Sequence, residues 1–361
     1  MNAAVVSLGS ESSKWTIDAL KKYFDEVEDI DIRHLEINFS GKKAQILYKS
    51  EPLKHFDCIF AKGSFRYANL LQTLTVLLEQ TAFLPLEDKA FIVAHDKLLT
   101  QLELQRNNIP MPTTHLASTI TAARAMLERL NYPIIMKFPQ GTQGKGVLFA
   151  DSFASASSIL DALSSLKQPF IIQEYVETGG VDVRAFVVGD KVVAAYKRVA
   201  SPREVRANIH VGGVGEAIHL DEEAKRVAIK ASKAIGAPIC GVDLLISQHK
   251  GPLVIELNVS PGLQGITQYT GIDVADKIAH YLHEKTSIKL GKELKRGAED
   301  FMMENLERVD VESNSLITTL DFRGSRVLLP EVVTKVAGLR DGDYEFKFKK
   351  DEILLKKFNL N

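Results

Sequence analysis

Apolar residues recur with two different periods along the first 95 positions. The runs AAVVSL and FDCIFAKG are short and almost continuously apolar, as buried strands are, whereas SKWTIDALKKYFDEV and YANLLQTLTVLLEQ place their apolar residues at helical spacing. Strands that alternate with helices pack into layered α/β domains. The pattern therefore predicts a small α/β domain over residues 1–95.

The pattern changes after residue 95 and again after residue 180. The segment HDKLLTQLELQRNNIP predicts a helix that Pro110 stops, and the runs PIIMKF, VLFADS and FIIQEYV predict strands. In RAFVVGDKVVAAYKRV, Gly189 and Asp190 form a two-residue turn signal, which indicates a hairpin. The segment DEEAKRVAIKASKAIG predicts a helix with Asp221 as its N-cap and Gly236 after its end. We expect an α/β chain whose second half is rich in hairpins.

Composition places the chain among ordinary globular proteins. Its 361 residues are 45% hydrophobic and 25% charged, with a formal net charge of −1, so no overall field favours nucleic acid or membranes. No apolar run approaches the roughly 18 residues of a membrane span, and the first residues lack the basic segment of a signal peptide. Cys58 and Cys240 lie in apolar runs, which favours buried thiols over a disulfide. We expect a cytoplasmic protein of two or three domains with no membrane partner.

A glycine-rich stretch separates two of the predicted strands. Gly141, Gly144 and Gly146 lie between PIIMKF and VLFADS, with Lys137 just before them and Lys145 among them. The glycines alone are equally compatible with an ordinary hairpin turn. Successive backbone N–H groups in such a loop can also cradle phosphate oxygens, and the two lysines would add positive charge. The stretch is therefore a candidate lid over a triphosphate.

Two carboxylates face each other in a predicted hairpin formed by GVDLLI and LVIELNVSP. If the hairpin is symmetric about its QHKG loop, Ile246 faces Leu253 and Asp243 faces Glu256. Like charges in directly opposed positions are destabilising, and Asn258 points to the same face two residues further on. A solvated strand face is one interpretation, but the neighbouring positions are almost all apolar. Converging oxygen ligands of this kind favour Mg²⁺ bound together with substrate phosphates.

Other positions allow a structural and a functional interpretation side by side. Lys97 begins a predicted helix and could be a surface lysine. The run IIQEYVE joins two differently patterned halves, where a base could stack, although most such runs are core strands. Three arginines, Arg184, Arg198 and Arg206, lie with Asn208 in or after one hairpin. Arginines are mostly solvated, but three near one site would suit an anionic substrate or an acyl phosphate.

Taken in order, several runs resemble the ATP-grasp superfamily, and specifically its RimK-like α-L-glutamate ligases. The matching runs are HDKLLTQLEL, MKFPQGTQGKGV, IIQEYV, DVRAFVVGDKVVAAYKR, VRANIHVGG, CGVDLL and LVIELNVSPGLQGI. The resemblance implies an α/β chain with an ATP-grasp fold, in which two α+β lobes grip ATP. It implies a pre-ATP-grasp domain over residues 1–95, an N-lobe with the glycine-rich lid over 96–175, and a C-lobe with the metal site over 176–285.

The resemblance also implies a role for each matching position. Lys97 and Lys137 would bind nucleotide phosphates, and Asp182 would reach the ribose. The lid would consist of Gly141, Thr142, Gln143, Gly144, Lys145 and Gly146. Adenine would be held at the hinge by Gln173, Glu174 and Tyr175. Arg206 and Asn208 would line the phosphate and metal end, and Asp243, Glu256 and Asn258 would hold two Mg²⁺ ions, for which Mn²⁺ could substitute.

The chemistry implied by the resemblance is amide-bond formation driven by ATP. ATP would phosphorylate a substrate carboxylate, and an amine, that of glutamate, would attack the acyl phosphate; the acceptor would be a peptide, a protein C-terminus or a coenzyme. Lys137, Arg198 and Arg206 would be the catalytic residues, because they neutralise charge during phosphoryl transfer and at the tetrahedral intermediate. Relatives often carry basic residues where this sequence has Val199 and Val211. These departures predict either an acceptor less anionic than polyglutamate or an acceptor that is bound differently.

The pattern of apolar and polar residues changes again in the last part of the chain. Residues 286–312 are polar and helix-prone, which predicts a linker or an outer helix. Residues 313–361 resemble the AbrB-like swapped-hairpin domain, whose members interlock as dimers and in many cases bind DNA. This segment carries nine basic against seven acidic residues, a weak footprint for DNA, so a dimerisation module is favoured, in a homodimer or homotetramer. The alternative function is a DNA-binding regulator that uses the ligase-like body as a nucleotide sensor.

Overall fold

The structure, a computed structural model, divides into two compact units, residues Met1–Ser287 and Ile288–Asn361. Each unit is described by itself. The described residues are 1–41, 43–138, 146–165, 170–199, 214–306, 321–323, 326–329, 331–337, 339–340, 344–350 and 352–357. Within these ranges no helix combines the length and apolar character needed to cross a membrane.

A three-stranded parallel sheet begins the first unit, with helices packed on it. The middle strand is buried along almost its whole length, as expected for a parallel sheet covered on both faces. A small antiparallel sheet, not predicted from the sequence, follows the second strand. The parallel strands, in the order β2-β1-β6, are β1 (Asn2–Ser7), β2 (Glu26–Asp31) and β6 (Cys58–Ala61); the antiparallel strands are β3 (Leu35–Ser40), β4 (Lys43–Tyr48) and β5 (Glu51–Pro52); the helices are α1 (Glu11–Leu20), α2 (Ala68–Leu78) and α3 (Asp88–Val93).

A four-stranded antiparallel sheet with its own core forms the next layer. Residues such as Leu127, Met136, Leu160 and Ile172 form this core and are fully buried. The strands, in the order β7-β10-β8-β9, are β7 (Thr114–His115), β8 (Ile134–Lys137), β9 (Val147–Ala150) and β10 (Ile171–Glu174); the helices are α4 (Lys97–Arg106), α5 (Ile120–Leu127) and α6 (Phe153–Ser165). Because β8 and β9 pair directly, the glycine-rich stretch connects the two strands of a hairpin.

A five-stranded antiparallel sheet completes the first unit and shares the main hydrophobic core with the parallel sheet. Asp221 caps its helix by accepting the Ala224 N–H at 2.7 Å, and Gly236 follows the helix with φ +69°, as the sequence predicts. The strands, in the order β13-β12-β11-β14-β15, are β11 (Val181–Val188), β12 (Lys191–Val199), β13 (Val214–Ala217), β14 (Ile239–Ser247) and β15 (Gly251–Asn258); the helices are α7 (Glu222–Ala234), α8 (Gln264–Thr270) and α9 (Val274–Leu306).

The register of the β14–β15 hairpin confirms one predicted pair and corrects another. Asp243 faces Glu256, as the sequence predicts. The expected pair of Ile246 with Leu253 is wrong, since Ile246 faces Pro252. An irregularity between Asp243 and Leu244 shifts the register by one residue, as a β-bulge does. Near the turn the pairing differs by one residue from the predicted hairpin, and the bulge shifts it back. Asp243 and Glu256 therefore still face each other.

Helix α9 runs on to Leu306, so the described part of the predicted linker, residues 286–306, is helical. In the described part of the second unit, the chain after α9 forms two hairpins with a short helix between them in sequence. These elements are β16 (Asp321–Arg323), β17 (Arg326–Leu328), α10 (Glu331–Val336), β18 (Tyr344–Lys349) and β19 (Glu352–Lys357). In the first unit, Cys58 and Cys240 are both buried free thiols, as predicted.

Candidate active site

Four charged side chains form a compact network on one face of the five-stranded sheet. Asp182 faces Arg198 across β11 and β12, and Arg184 faces Asp243 across β11 and β14. Arg184 donates to both carboxylate oxygens of Asp243, from Nε and Nη2, at 2.7 Å each. Arg198 donates from Nη2 to Asp182 at 2.8 Å and lies 2.9 Å from Asp243. The network ties together three neighbouring strands with charges that sum to zero.

Burial makes this network strongly coupled. The side chains of Arg198 and Asp243 are 6% and 5% exposed. Burial by itself would raise the pKa of Asp243, but the guanidinium groups of Arg184 and Arg198 outweigh it and lower that pKa to about 2. For Asp182 burial outweighs the attraction of Arg198, and its pKa is raised. Removal of one partner from such a buried pair leaves an uncompensated charge, which costs about 3–5 kcal/mol.

Glu256 lies beside this network. Burial and the adjacent Asp243 carboxylate raise the pKa of Glu256. The positive charges of Lys97, Arg184 and Lys137 oppose this shift without outweighing it. Asn258 lies two residues along the same strand, faces Gly241, and has a buried Nδ2 without a partner within the described ranges. Two carboxylates and an amide therefore meet on one face.

This donor set fits a divalent cation. Magnesium takes oxygen ligands, needs one or two carboxylates, and keeps water and phosphate oxygens in its remaining positions. Each oxygen of a carboxylate has two lone pairs, so Asp243 can accept from Arg184 and still bind a metal. Because burial and Asp243 disfavour the Glu256 anion, the added positive charge of a metal ion would stabilise it. Within the described parts, no three His, Cys, Asp or Glu side chains are placed to hold a metal ion, so the donor set depends on the amide oxygen of Asn258.

Two lysines approach the acidic pair from the other lobe. Lys137, at the end of β8, is 8% exposed and donates to Gln173 Oε1 at 2.8 Å. Burial, and then the neighbouring charge of Lys97, lower the pKa of Lys137 to about 8, against the opposing effect of Glu256. Lys97 begins α4, whose N-cap Asp96 accepts from two backbone N–H groups. The structure thus brings Lys97, Lys137 and Glu256 within electrostatic reach of one another.

The predicted hinge residues make specific structural contacts. Gln173 bridges Lys137 and Thr114, to whose Oγ1 it donates at 2.7 Å. The Glu174 carboxylate accepts from the Thr113 N–H at 2.8 Å and from Lys250, which lies in the β14–β15 turn. The Tyr175 ring packs edge-on against a neighbouring aromatic ring, with the centroids 5.3 Å apart. The two sheets are therefore connected at the hinge by an ion pair as well as by the chain.

Several predicted residues lie outside the described ranges. They are Gly141, Thr142, Gln143, Gly144 and Lys145 of the lid, and Arg206 and Asn208 of the phosphate end. Gly146 is described and has φ +77°, and a Cβ there would lie 2.3 Å from the Phe138 ring. Glycine is therefore required at the point where the lid meets β9.

A cleft of about 180 Å³ opens beside Glu256 and Asn258. One residue of the cleft, His95, was not singled out from the sequence. Its Nε2 is buried without a hydrogen-bond partner among the described residues. His95 is the first residue of the matched run HDKLLTQLEL, directly before Asp96 and Lys97, and this position is the signal that could have indicated it. The cleft is lined by residues 63–65, by Ala94, His95, Lys97 and Thr100, and by residues 255–260.

Comparisons with known proteins agree with this geometry. Residues 94–282 match the RimK-like ATP-grasp domain. A probable alpha-L-glutamate ligase of Pseudomonas entomophila is 38% identical over 296 residues, covering 80% of this chain and 96% of that protein. The equivalent protein of Stutzerimonas stutzeri is 37% identical over 293 residues, covering 79% of this chain and 96% of its own. About a fifth of this chain thus has no counterpart in either relative.

Solved structures show the same fold at low sequence identity. The ATP-grasp ligase PsnB, solved with a precursor variant, Mg and ADP, superposes with a TM-score of 0.62 at 18% identity, covering 79% of this chain and 98% of that chain. A RimK domain ATP-grasp protein from Sphaerobacter thermophilus superposes with a TM-score of 0.59 at 17% identity, covering 78% and 99% of the two chains. The part of the chain that these superpositions cover therefore has an ATP-grasp fold.

Proposed function

The chain belongs to the RimK-like ATP-grasp family of ATP-dependent ligases that form amide bonds, and we propose that it adds L-glutamate to a carboxylate acceptor through an acyl phosphate. The names of its relatives support glutamate as the amino acid. The observation that carries the proposed site is the pairing of Asp243 with Glu256, with Asn258 on the same face. No relative supports the alternative of a DNA-binding regulator.

In the proposed site, the basic residues bind phosphate and the acidic residues bind metal. Lys97 and Lys137 bind the nucleotide phosphates, while Asp243, Glu256 and Asn258 hold two Mg²⁺ ions, for which Mn²⁺ substitutes. When bound, the metal neutralises phosphate charge and orients the γ-phosphate for attack. Support for this division comes from the proximity of the two lysines to Glu256 and from the raised pKa of Glu256.

The remaining assignments complete the proposed site. The backbone of the lid, residues 141–146, covers the phosphates, and the hinge residues hold adenine, with Asp182 at the ribose. Arg206 and Asn208 line the phosphate end. Arg198 and Arg206 stabilise the acyl phosphate and the oxyanion that forms when the amine attacks. The ion pairs of Arg198 with Asp182 and Asp243 give it a second role, since they hold the metal-binding strand against β11 and β12.

For residues 313–361 we propose an AbrB-like dimerisation module that makes the protein a homodimer or homotetramer. Apolar side chains of its two hairpins are exposed, and a segment this small buries a core more readily with a second copy. The most exposed of these side chains are Phe346 at 60%, Leu354 at 51%, Leu328 at 45% and Val327 at 43%.

The function is tested by a screen of the twenty L-amino acids against a panel of acceptor carboxylates, with ADP release measured and products identified by mass spectrometry. We expect Mg²⁺-dependent ADP release that requires both substrates and is largest with L-glutamate. The valines at positions 199 and 211 predict that acceptors with few negative charges outperform polyglutamate. Stimulation by a different amino acid alone would refute the choice of glutamate.

A further inference from the structure

The cleft beside Glu256 is bordered by two separate layers of the first unit. One wall is the loop after β6, the floor is the start of α4, and the other wall is the end of β15. Its volume of about 180 Å³ is smaller than the ~300–1,000 Å³ of sites for drug-sized ligands, which suits a group the size of an amino acid. The metal-binding edge of β15 forms part of this wall, so a molecule in the cleft lies next to the predicted position of the phosphates.

Two residues that line this cleft each carry a buried polar atom with no hydrogen-bond partner in the part of the chain that the structure describes. These atoms are Nε2 of His95 and Nδ2 of Asn258. Buried polar groups in native proteins are almost always satisfied, and exceptions call for an explanation such as a ligand, an ion or water. Two such atoms on the lining residues of one small cleft favour a polar molecule bound beside them.

The backbone on both sides of His95 is held by local hydrogen bonds. The Ala94 N–H donates to Ala90 O at 3.1 Å at the end of α3, and the Asp96 side chain caps α4 through the N–H groups of Leu98 and Leu99. These bonds fix the backbone that carries the imidazole, and Nε2 takes no part in them.

The polar groups of the cleft favour a carboxylate. The Ser260 hydroxyl oxygen accepts from the Gly63 N–H at 2.9 Å, so its own hydrogen remains available, and Ser64 contributes another hydroxyl. Asn258 can bind a metal through Oδ1 while Nδ2 donates into the cleft. Burial lowers the pKa of His95, so its neutral ring can donate from Nε2.

We propose that His95 is a substrate-binding residue that, together with Asn258, holds the carboxylate that ATP phosphorylates. This inference rests on the proposed ligase function. One oxygen of the bound carboxylate attacks the γ-phosphorus, the bond from that phosphorus to the ADP oxygen breaks, and ADP leaves with the electron pair. The product is an acyl phosphate, whose carbonyl oxygen stays within reach of His95 Nε2.

The test measures binding without turnover. The full chain is saturated with Mg²⁺ and ADP and titrated calorimetrically with two carboxylates that have no free amine, N-acetylglycine and N-acetyl-L-glutamate. We expect His95→Ala to weaken binding of the better ligand about 10- to 100-fold, the loss typical of a hydrogen bond to a charged group. Its affinity for Mg²⁺-ADP should stay within about twofold of the unmodified chain.

Two further variants separate binding from a structural role. His95→Gln keeps a donor of similar reach and should recover part of the lost affinity. His249→Ala, at an exposed histidine in the β14–β15 turn, should bind the carboxylates as the unmodified chain does. The proposal is overturned if neither carboxylate binds the unmodified chain, if His95→Ala binds equally well, or if it loses Mg²⁺-ADP affinity and melting temperature in parallel. If the carboxylates bind through His95 but glutamate never stimulates ADP release, the inference stands and the choice of glutamate fails.

Discussion

Asp243 and Glu256 face each other across two strands, yet their surroundings are electrostatically opposite. Asp243 accepts from two guanidinium groups that lower its pKa, whereas burial and the Asp243 carboxylate raise the pKa of Glu256. The difference comes from Arg184 and Arg198, which lie 59 and 45 positions from Asp243 in the sequence. The sequence pattern therefore predicted the pair, but it could not predict that the two carboxylates have opposite pKa shifts.

The variant Glu256→Gln separates the proposed metal-binding role of this carboxylate from its effect on the stability of the fold. The change removes a charge that burial and Asp243 already disfavour, so the free energy of unfolding should not fall. Activity should fall more than about 100-fold, because even indirect supports of a metal site cost 10–100-fold when removed. ADP release and urea denaturation measure the two effects. Glu216→Gln on β13, with its side chain 66% exposed, is the control and should change neither. Full activity in Glu256→Gln would contradict the site.

Lys137 provides a pH-dependent signature of nucleotide binding. Its pKa of about 8 rises when phosphate oxygens arrive, because an opposite charge favours the ammonium form. Binding of Mg²⁺-ADP near pH 8–9 should therefore take up protons, and affinity should fall as the pH rises above 8. Calorimetry in buffers of different ionisation enthalpy measures the uptake.

Lys137→Met should abolish this proton uptake. Lys62→Met is a matched control, since burial also lowers the pKa of Lys62 to about 8. Uptake that persists in Lys137→Met, or that disappears only in Lys62→Met, would show that a different group titrates.

At the scale of helices and strands, features that depend on neighbouring residues could be predicted from the sequence. Pairings between residues distant in sequence were predicted less well. The Gly189-Asp190 turn and the Asp221 cap depend on neighbours in sequence, and both were predicted correctly. The β3–β5 sheet was missed, because its strands are partly polar and packed on one side only. The β14–β15 bulge was missed as well, because an extra residue in one strand has no signature in an apolar pattern.

Arg184 connects β11 to β14, and its loss should weaken the whole sheet. Arg184→Met leaves Asp243 buried with one guanidinium fewer, so we expect the free energy of unfolding to fall by about 3 kcal/mol. Arg33→Met is the matched control. Arg33 also pairs with an aspartate through Nε and Nη2, but its side chain is 59% exposed, and such pairs contribute little to stability because solvent screens them.

Chemical denaturation of both variants measures the difference between the buried and the exposed pair. The double variant Arg184→Met with Asp243→Leu should recover much of the loss, because it removes the unpaired charge. Equal losses in Arg184→Met and Arg33→Met would mean that burial of the pair has no energetic consequence.

At the scale of the whole molecule, the chain combines a ligase body with residues that have no counterpart in the two relatives compared above. The curated relatives are covered over 96% of their length, but they account for only 79–80% of this chain. The body could be predicted from the sequence because its motifs occur in order along 190 residues. The arrangement of several copies could not be predicted, because it depends on surfaces and not on the pattern of any one helix or strand.

Deletion of residues 313–361 should lower the oligomeric state and leave the ligase body folded. The first unit has its own core, and the deleted hairpins expose the apolar side chains expected of a contact between copies. Light scattering measures the mass, and Mg²⁺-ADP affinity reports on the body. An unchanged mass would contradict the proposed dimerisation role.

The four-membered charge network on β11, β12 and β14 has a consequence for how such enzymes diversify. Because every member neutralises another inside the protein, a single substitution at any of the four positions leaves an uncompensated buried charge. Variants in which an acid and its base are exchanged together should therefore be easier to reach than either single change, which limits how such enzymes can diversify at these positions.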